Sequence, residues 1–133
     1  MARRILGALL LLMAVLQLSD PGGFADVLRT YDFGPVGTLA VGLIVGELVG
    51  GLGLLGPSQH RRSAATVGLV VASVWSILGA QAFARGLTLP NCGCFGVHLA
   101  QPLRWWVLLE DVEFVTLAWF ARRTPRVRAL APA

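Results

Sequence analysis

Apolar residues fall into four long runs separated by short polar segments. The first covers about residues 5–19 behind Arg3 and Arg4, and the second about 36–55. The third covers about 64–84 after Arg61 and Arg62, and the fourth about 102–121 before Arg122 and Arg123. These lengths approach the roughly 20 residues that carry a helix across a hydrocarbon core of about 30 Å. The pattern predicts an all-α fold: a four-transmembrane-helix bundle forming one integral membrane domain over residues 1–133.

The breaks between runs have chemical causes. Asp20-Pro21-Gly22-Gly23 ends the first, Gly56-Pro57 the second and Arg85-Gly86 the third, because proline removes a donor and glycine relaxes the backbone. The first run closes on Leu-Gln-Leu-Ser-Asp-Pro with no small-x-small cleavage pattern, so it is expected to remain as a helix. After it, Phe24, Val27, Leu28 and Tyr31 stand at i, i+3, i+4 and i+7. That spacing predicts a short interfacial helix with Asp26 and Arg29 turned to water.

Composition strengthens the membrane reading. The chain is 56% hydrophobic and 14% charged, with a mean hydropathy of +0.72, whereas soluble domains carry about 25% charged residues. The lipid bilayer is therefore the expected solvent for most of the surface. A pI near 10.5 would suit a nucleic-acid binder. Here every basic residue is an arginine, mostly at the ends of apolar runs, and no nucleic-acid partner is expected.

The same arginines predict orientation. Arg3, Arg4, Arg61, Arg62, Arg122, Arg123, Arg126 and Arg128 fall on the side of the termini; Arg29, Arg85 and Arg104 fall opposite, with Asp20, Asp26 and Asp32. The positive-inside rule then makes both termini cytoplasmic and the third loop extracytoplasmic, in a multi-pass protein of the inner or plasma membrane. Trp105 and Trp106 suit an interfacial aromatic belt at the outer edge of the fourth run.

That third loop contains Pro90-Asn91-Cys92-Gly93-Cys94-Phe95-Gly96. A disulfide across one intervening residue closes a very small ring, whose strain makes it easier to reduce and a better oxidant. Cys92 and Cys94 are thus candidate catalytic residues of a thiol–disulfide oxidoreductase, with Arg85, Arg104 and His98 as groups able to favour a thiolate. Two other readings stand beside this one. The cysteines are structural residues of a turn, or Cys92, Cys94 and His98 hold a soft ion such as Cu(I). Structural zinc would need a fourth ligand, and none is near in sequence. His98 by itself reads as a solvated loop residue, and His60 as topological.

Within the apolar runs, Gly42, Gly46 and Gly50 form a small-xxx-small ridge suited to close helix approach. Glu47 beside them should face the bundle interior and be paired or protonated. Glu110, Asp111 and Glu113 fall roughly 12–17 Å into a helix counted from Pro102. They must turn inward, meet water or shift the helix outward, with Gln17, Ser73, Ser76 and Gln81 as candidate partners. A polar interior of this kind could accommodate a quinone or a proton.

Asn-Cys-Gly-Cys-Phe-Gly ahead of Pro-Leu-Arg-Trp-Trp resembles the MauE branch of the MauE/DoxX membrane protein family. So do Ser19-Asp20-Pro21 with Phe24, and Gly46-Glu47 with Gly50-Gly51. The similarity runs from about Ile5 to Phe120, and Cys-Gly-Cys-Phe-Gly is its most specific part. The resemblance implies a four-helix membrane bundle in thiol redox chemistry. MauE is associated with maturation of a disulfide-rich periplasmic methylamine dehydrogenase subunit alongside a thioredoxin-like partner, and DoxX relatives with quinone-linked sulfur oxidation. Family members often carry Lys at the position of Gln17 and Arg at that of Glu110, so a family-like buried ion pair is not expected here.

The combined expectation is a membrane thiol–disulfide redox protein. Cys92 and Cys94 would exchange disulfides with a thioredoxin-like or client protein outside the cytoplasm. Quinone is the candidate cofactor, with Glu47 and Asp111 lining its site. The alternatives are a non-catalytic assembly or scaffold subunit, and a protein handling a metal or small solute.

Overall fold

The computed structural model describes residues 1–123, so the tail arginines Arg126 and Arg128 lie outside the described residues. Five helices follow one another: α1 (Ala2–Ser19), α2 (Pro21–Arg29), α3 (Val36–Leu55), α4 (Arg61–Ala84) and α5 (Trp105–Arg123). A single 3-10 turn, Ser58–His60, leads into α4, and no strand occurs among the described residues.

Three segments are long and apolar enough to cross a membrane: Ala2–Ser19, Val36–Leu55 and Ser58–Ala84. They imply a bilayer environment and fit a multi-pass membrane protein. Val15, Val41, Val45, Leu52, Val70 and Ile77 are exposed on them, as contact with lipid requires. α5 is a further helix of 19 residues, set apart from those three by Glu110, Asp111 and Glu113. It begins at Trp105, later than the apolar run, because the Leu103 amide donates to Leu89 O (2.9 Å) and keeps that stretch in the loop. The three carboxylates therefore sit only about 8–12 Å from the start of α5.

α3 lies between α1 and α4, and α5 rests mainly on α4 and partly on α1. α1 and α3 run antiparallel, which puts Gly7 beside Leu54 and Leu55. Of the predicted ridge, Gly46 and Gly50 meet neighbouring helices, whereas Gly42 faces nothing within 4 Å. Gly51 and Gly53 do the remaining close packing, against α1 and Ala64 respectively. The contact face follows the helix turn rather than strict four-residue spacing.

At the other end, Asp20 caps α2 by accepting from the Gly23 amide (2.9 Å), with Pro21 at the first helical position. The apolar face of α2 turns into the bundle: Phe24 and Leu28 are buried, as is Tyr31 just beyond the helix. α2 and the loop 87–104 thus form a cap over this end of the helices.

Candidate functional site

The cap is built around Asn91. Its Oδ1 accepts from the Gly93 amide (2.9 Å) and its Nδ2 donates to Gly96 O (2.9 Å), drawing Cys92–Phe95 into a tight turn. Gly93 and Gly96 both have positive φ, +84° and +65°, where a side chain would be strained. At Gly96 a Cβ would also lie 2.8 Å from Leu16 O, so the turn rests directly on the α1 backbone.

The turn brings Cys92 Sγ and Cys94 Sγ to 3.5 Å as free thiols, within reach of an S–H···S bond. Side chains from elsewhere hold both cysteine carbonyls. Tyr31 Oη donates to Cys92 O at 2.6 Å, and Gln17 Nε2 donates to Cys94 O at 2.9 Å. The Cys92 amide is occupied as well, donating to Gln101 O (2.7 Å).

Gln17 does more than hold the turn. The same Nε2 donates to Glu47 Oε1 (3.1 Å), which also accepts from Trp75 Nε1 (3.0 Å). Gln17 and Glu47 are both fully buried, and Gln17 Oε1 and Glu47 Oε2 have no partner among the described residues. One chain of polar contacts therefore joins α3, α4 and α1 to the cysteine turn. Trp75 is held further by tilted packing on Phe24, ring centroids 6.3 Å apart.

Burial and neighbours divide the two thiols. The Cys92 thiol is held below the ordinary thiol range, because the Cys94 S–H can donate to its thiolate. The Cys94 thiol is held well above that range, first by the same shared bond and then by burial. The pair gives up one proton readily and keeps the second. Burial, with the neighbouring sulfurs, raises the Tyr31 hydroxyl, so it stays protonated and donating.

A cavity of about 320 Å³ opens beside this pair. Leu9 and Met13 of α1, Trp75 of α4, Cys94 and Phe95 of the turn, and Val107, Phe114 and Leu117 of α5 supply most of its wall. Asp111 lies in the wall, 8% exposed, with no hydrogen bond or ion pair to a described residue. It fits because Gly79 has no side chain: a Cβ there would lie 2.9 Å from Asp111 Oδ2. Glu110 and Glu113 stand exposed at the rim, Glu110 accepting from Gln101 Nε2 (2.8 Å).

Cys92 and Cys94 come together, and Asp111 shares the cavity with Cys94. Glu47 does not line the cavity; it stands behind Trp75 and reaches the turn through Gln17. Gln17 thus serves Glu47 rather than the α5 carboxylates. Ser73 and Ser76 bond their own helix at Leu69 O and Ala72 O, and Gln81 bonds Tyr31 O.

None of the three predicted cationic groups touches a sulfur among the described residues. Arg85 pairs with Asp32 (3.2 Å) and Gln81, Arg104 lies over the Trp106 ring, and His98 is exposed. His98 does not join the cysteines, and among the described residues no three His, Cys, Asp or Glu side chains gather as a metal site. Trp75 and the Tyr31 hydroxyl join the site without a motif to mark them. The sequence signal, a polar atom on a residue inside an apolar pattern, was present for both.

Comparison with curated proteins and with solved structures found no match. Residues 1–122 match the family model described as methylamine utilisation protein MauE, and the chain belongs to that family.

Proposed function

We propose that this chain is a membrane thiol–disulfide redox protein in which Cys92 and Cys94 cycle between dithiol and disulfide. The observation that supports it most is the 3.5 Å between two sulfurs in a turn whose carbonyls Tyr31 and Gln17 hold. In this reading α5 is the fourth span and both termini are cytoplasmic, because arginines crowd the end that carries Arg3, Arg61 and Arg122. The cysteine turn then faces the extracytoplasmic side of the inner or plasma membrane, where disulfides persist. The family description ties the chain to methylamine utilisation, which this reading places at the level of the membrane. In this reading the partner is a thioredoxin-like or disulfide-containing extracytoplasmic protein.

The exchange balances as follows. A client thiolate attacks Cys94 Sγ of the oxidised pair, and the sulfur–sulfur bond breaks with Cys92 leaving. Cys94 is the sulfur attacked because it is the more exposed of the two, Cys92 being buried. A second client thiol then attacks the mixed disulfide. This releases Cys94 as a thiol and leaves the client oxidised by two electrons. The pair returns to its disulfide by passing two electrons and two protons to a membrane acceptor of the quinone class.

The test is trapping. In a Cys92→Ser variant the partner should stay attached through Cys94 and be found by mass spectrometry as a mixed disulfide; Cys94→Ser should trap none. Absence of any trapped protein from both variants would refute the exchange. A non-catalytic assembly subunit is the second reading, favoured by the burial of Cys92, 2% exposed. Full activity of Cys94→Ser in cells would establish that reading instead.

A further inference from the structure

We infer that the cavity between α1 and α5 is the binding site of the electron acceptor, and that Asp111 takes up a thiol proton there and hands it to the acceptor. The inference rests on the redox reading of the cysteines and gives their electron acceptor a place in the fold.

Access argues for it first. Cys92 is closed off by the turn and by α2, since even a Cβ on Gly93 would lie 2.8 Å from Val27 Cγ1. Cys94, by contrast, forms part of the cavity wall. That wall is otherwise apolar and aromatic, from Trp75, Phe95 and Phe114, and it opens among helices whose outer surfaces suit lipid. A small molecule dissolved in the bilayer therefore reaches the Cys94 sulfur through the cavity.

The wall also specifies the chemistry. Dithiol oxidation releases two electrons and two protons, so the acceptor must take both. A flat ring with an apolar tail that accepts two of each is a quinone, which becomes the quinol as the sulfur–sulfur bond forms. A cavity of about 320 Å³ holds such a ring, and Trp75, pinned by Glu47, gives it a fixed aromatic surface. Asp111 supplies the remaining function. It is more than nine-tenths buried, unpartnered among the described residues and directed into the same space as Cys94. A buried carboxylate with no structural partner is expensive to maintain, and proton transfer beside a thiol gives it a role.

The probe is a fully ring-substituted benzoquinone with a ten-carbon tail, which cannot add covalently to thiols, used with the full chain in phosphatidylcholine nanodiscs. Binding is read in Cys92→Ser, where the quinone should slow maleimide alkylation of Cys94 about tenfold. Leu117→Trp, which fills the cavity, should abolish that protection. Turnover is read as quinol formed by the reduced native pair; Asp111→Asn, close in shape, should slow it about tenfold while protection persists. Equal protection by a tailed aromatic lacking the quinone carbonyls would overturn the assignment of the acceptor. So would an absence of both protection and quinol. If the pair still exchanges with a thioredoxin-like protein in that case, only the acceptor site is lost. If it does not, the redox reading falls as well.

Discussion

Replacing Gln17 with leucine removes the side chain that ties the cysteine turn to the bundle while keeping its approximate volume. Two hydrogen bonds disappear together, to Glu47 Oε1 (3.1 Å) and to Cys94 O (2.9 Å), at a site with no solvent to replace them. Hydrogen bonds between membrane helices average about 0.6 kcal/mol and reach about 1.7. A buried group left unpaired costs about 1–3 kcal/mol. Glu47 Oε1 keeps its bond from Trp75, so the unpaired group is Cys94 O. Gln17→Leu should therefore destabilise by about 1–3 kcal/mol. Thermal unfolding in detergent measures the loss. Alkylation of Cys94 should accelerate in the same variant, because the turn is freed from α1. Gln17→Lys should restore both properties, since an ammonium donates to Glu47 and to the carbonyl at once. Native stability together with native alkylation in Gln17→Leu would refute the view that Gln17 holds the turn.

The thiols should also show their division in pH dependence. Because the Cys94 S–H lowers Cys92, alkylation of the reduced pair should reach half its maximal rate below the pH typical of a free thiol. Removing that donor in Cys94→Ala leaves burial as the main influence and should move the Cys92 midpoint upward; an unchanged midpoint would show that the sulfurs do not interact. Gly79→Ala places a Cβ 2.9 Å from Asp111 Oδ2 and 3.3 Å from Leu108 Cδ2. The resulting crowding should cost about 1–3 kcal/mol in unfolding experiments and weaken quinone protection of Cys94.

The helical character and the three long apolar helices were legible because apolar runs and their Pro, Gly and Arg breaks are local features. The amphipathic spacing of Phe24, Val27, Leu28 and Tyr31 likewise announced the helix at Pro21–Arg29, although it could not say that this face would close over the cysteines. What escaped notice depends on contacts between distant residues. The late start of α5 follows from Leu103 pairing with Leu89 across the loop. Arg85 was assigned to the thiols on its loop position, yet Asp32 and the Tyr31 carbonyl claim it. Glu47 was rightly expected inside the bundle, but its partners, Gln17 thirty residues before it and Trp75 twenty-eight after, have no local signature. The cysteine pair was visible as a motif, and the cavity beside it was not, because four separate parts of the chain build its wall.

Redox cycling requires two sulfurs that pair as a disulfide on the extracytoplasmic side. Intact cells can be treated with a membrane-impermeant maleimide before and after mild reduction, and the labelled cysteines read by mass spectrometry. Cys94, the more exposed of the two, should become labelled from outside the cell only after reduction. Full labelling of Cys94 without reductant, or none from outside after it, would contradict the disulfide and its placement.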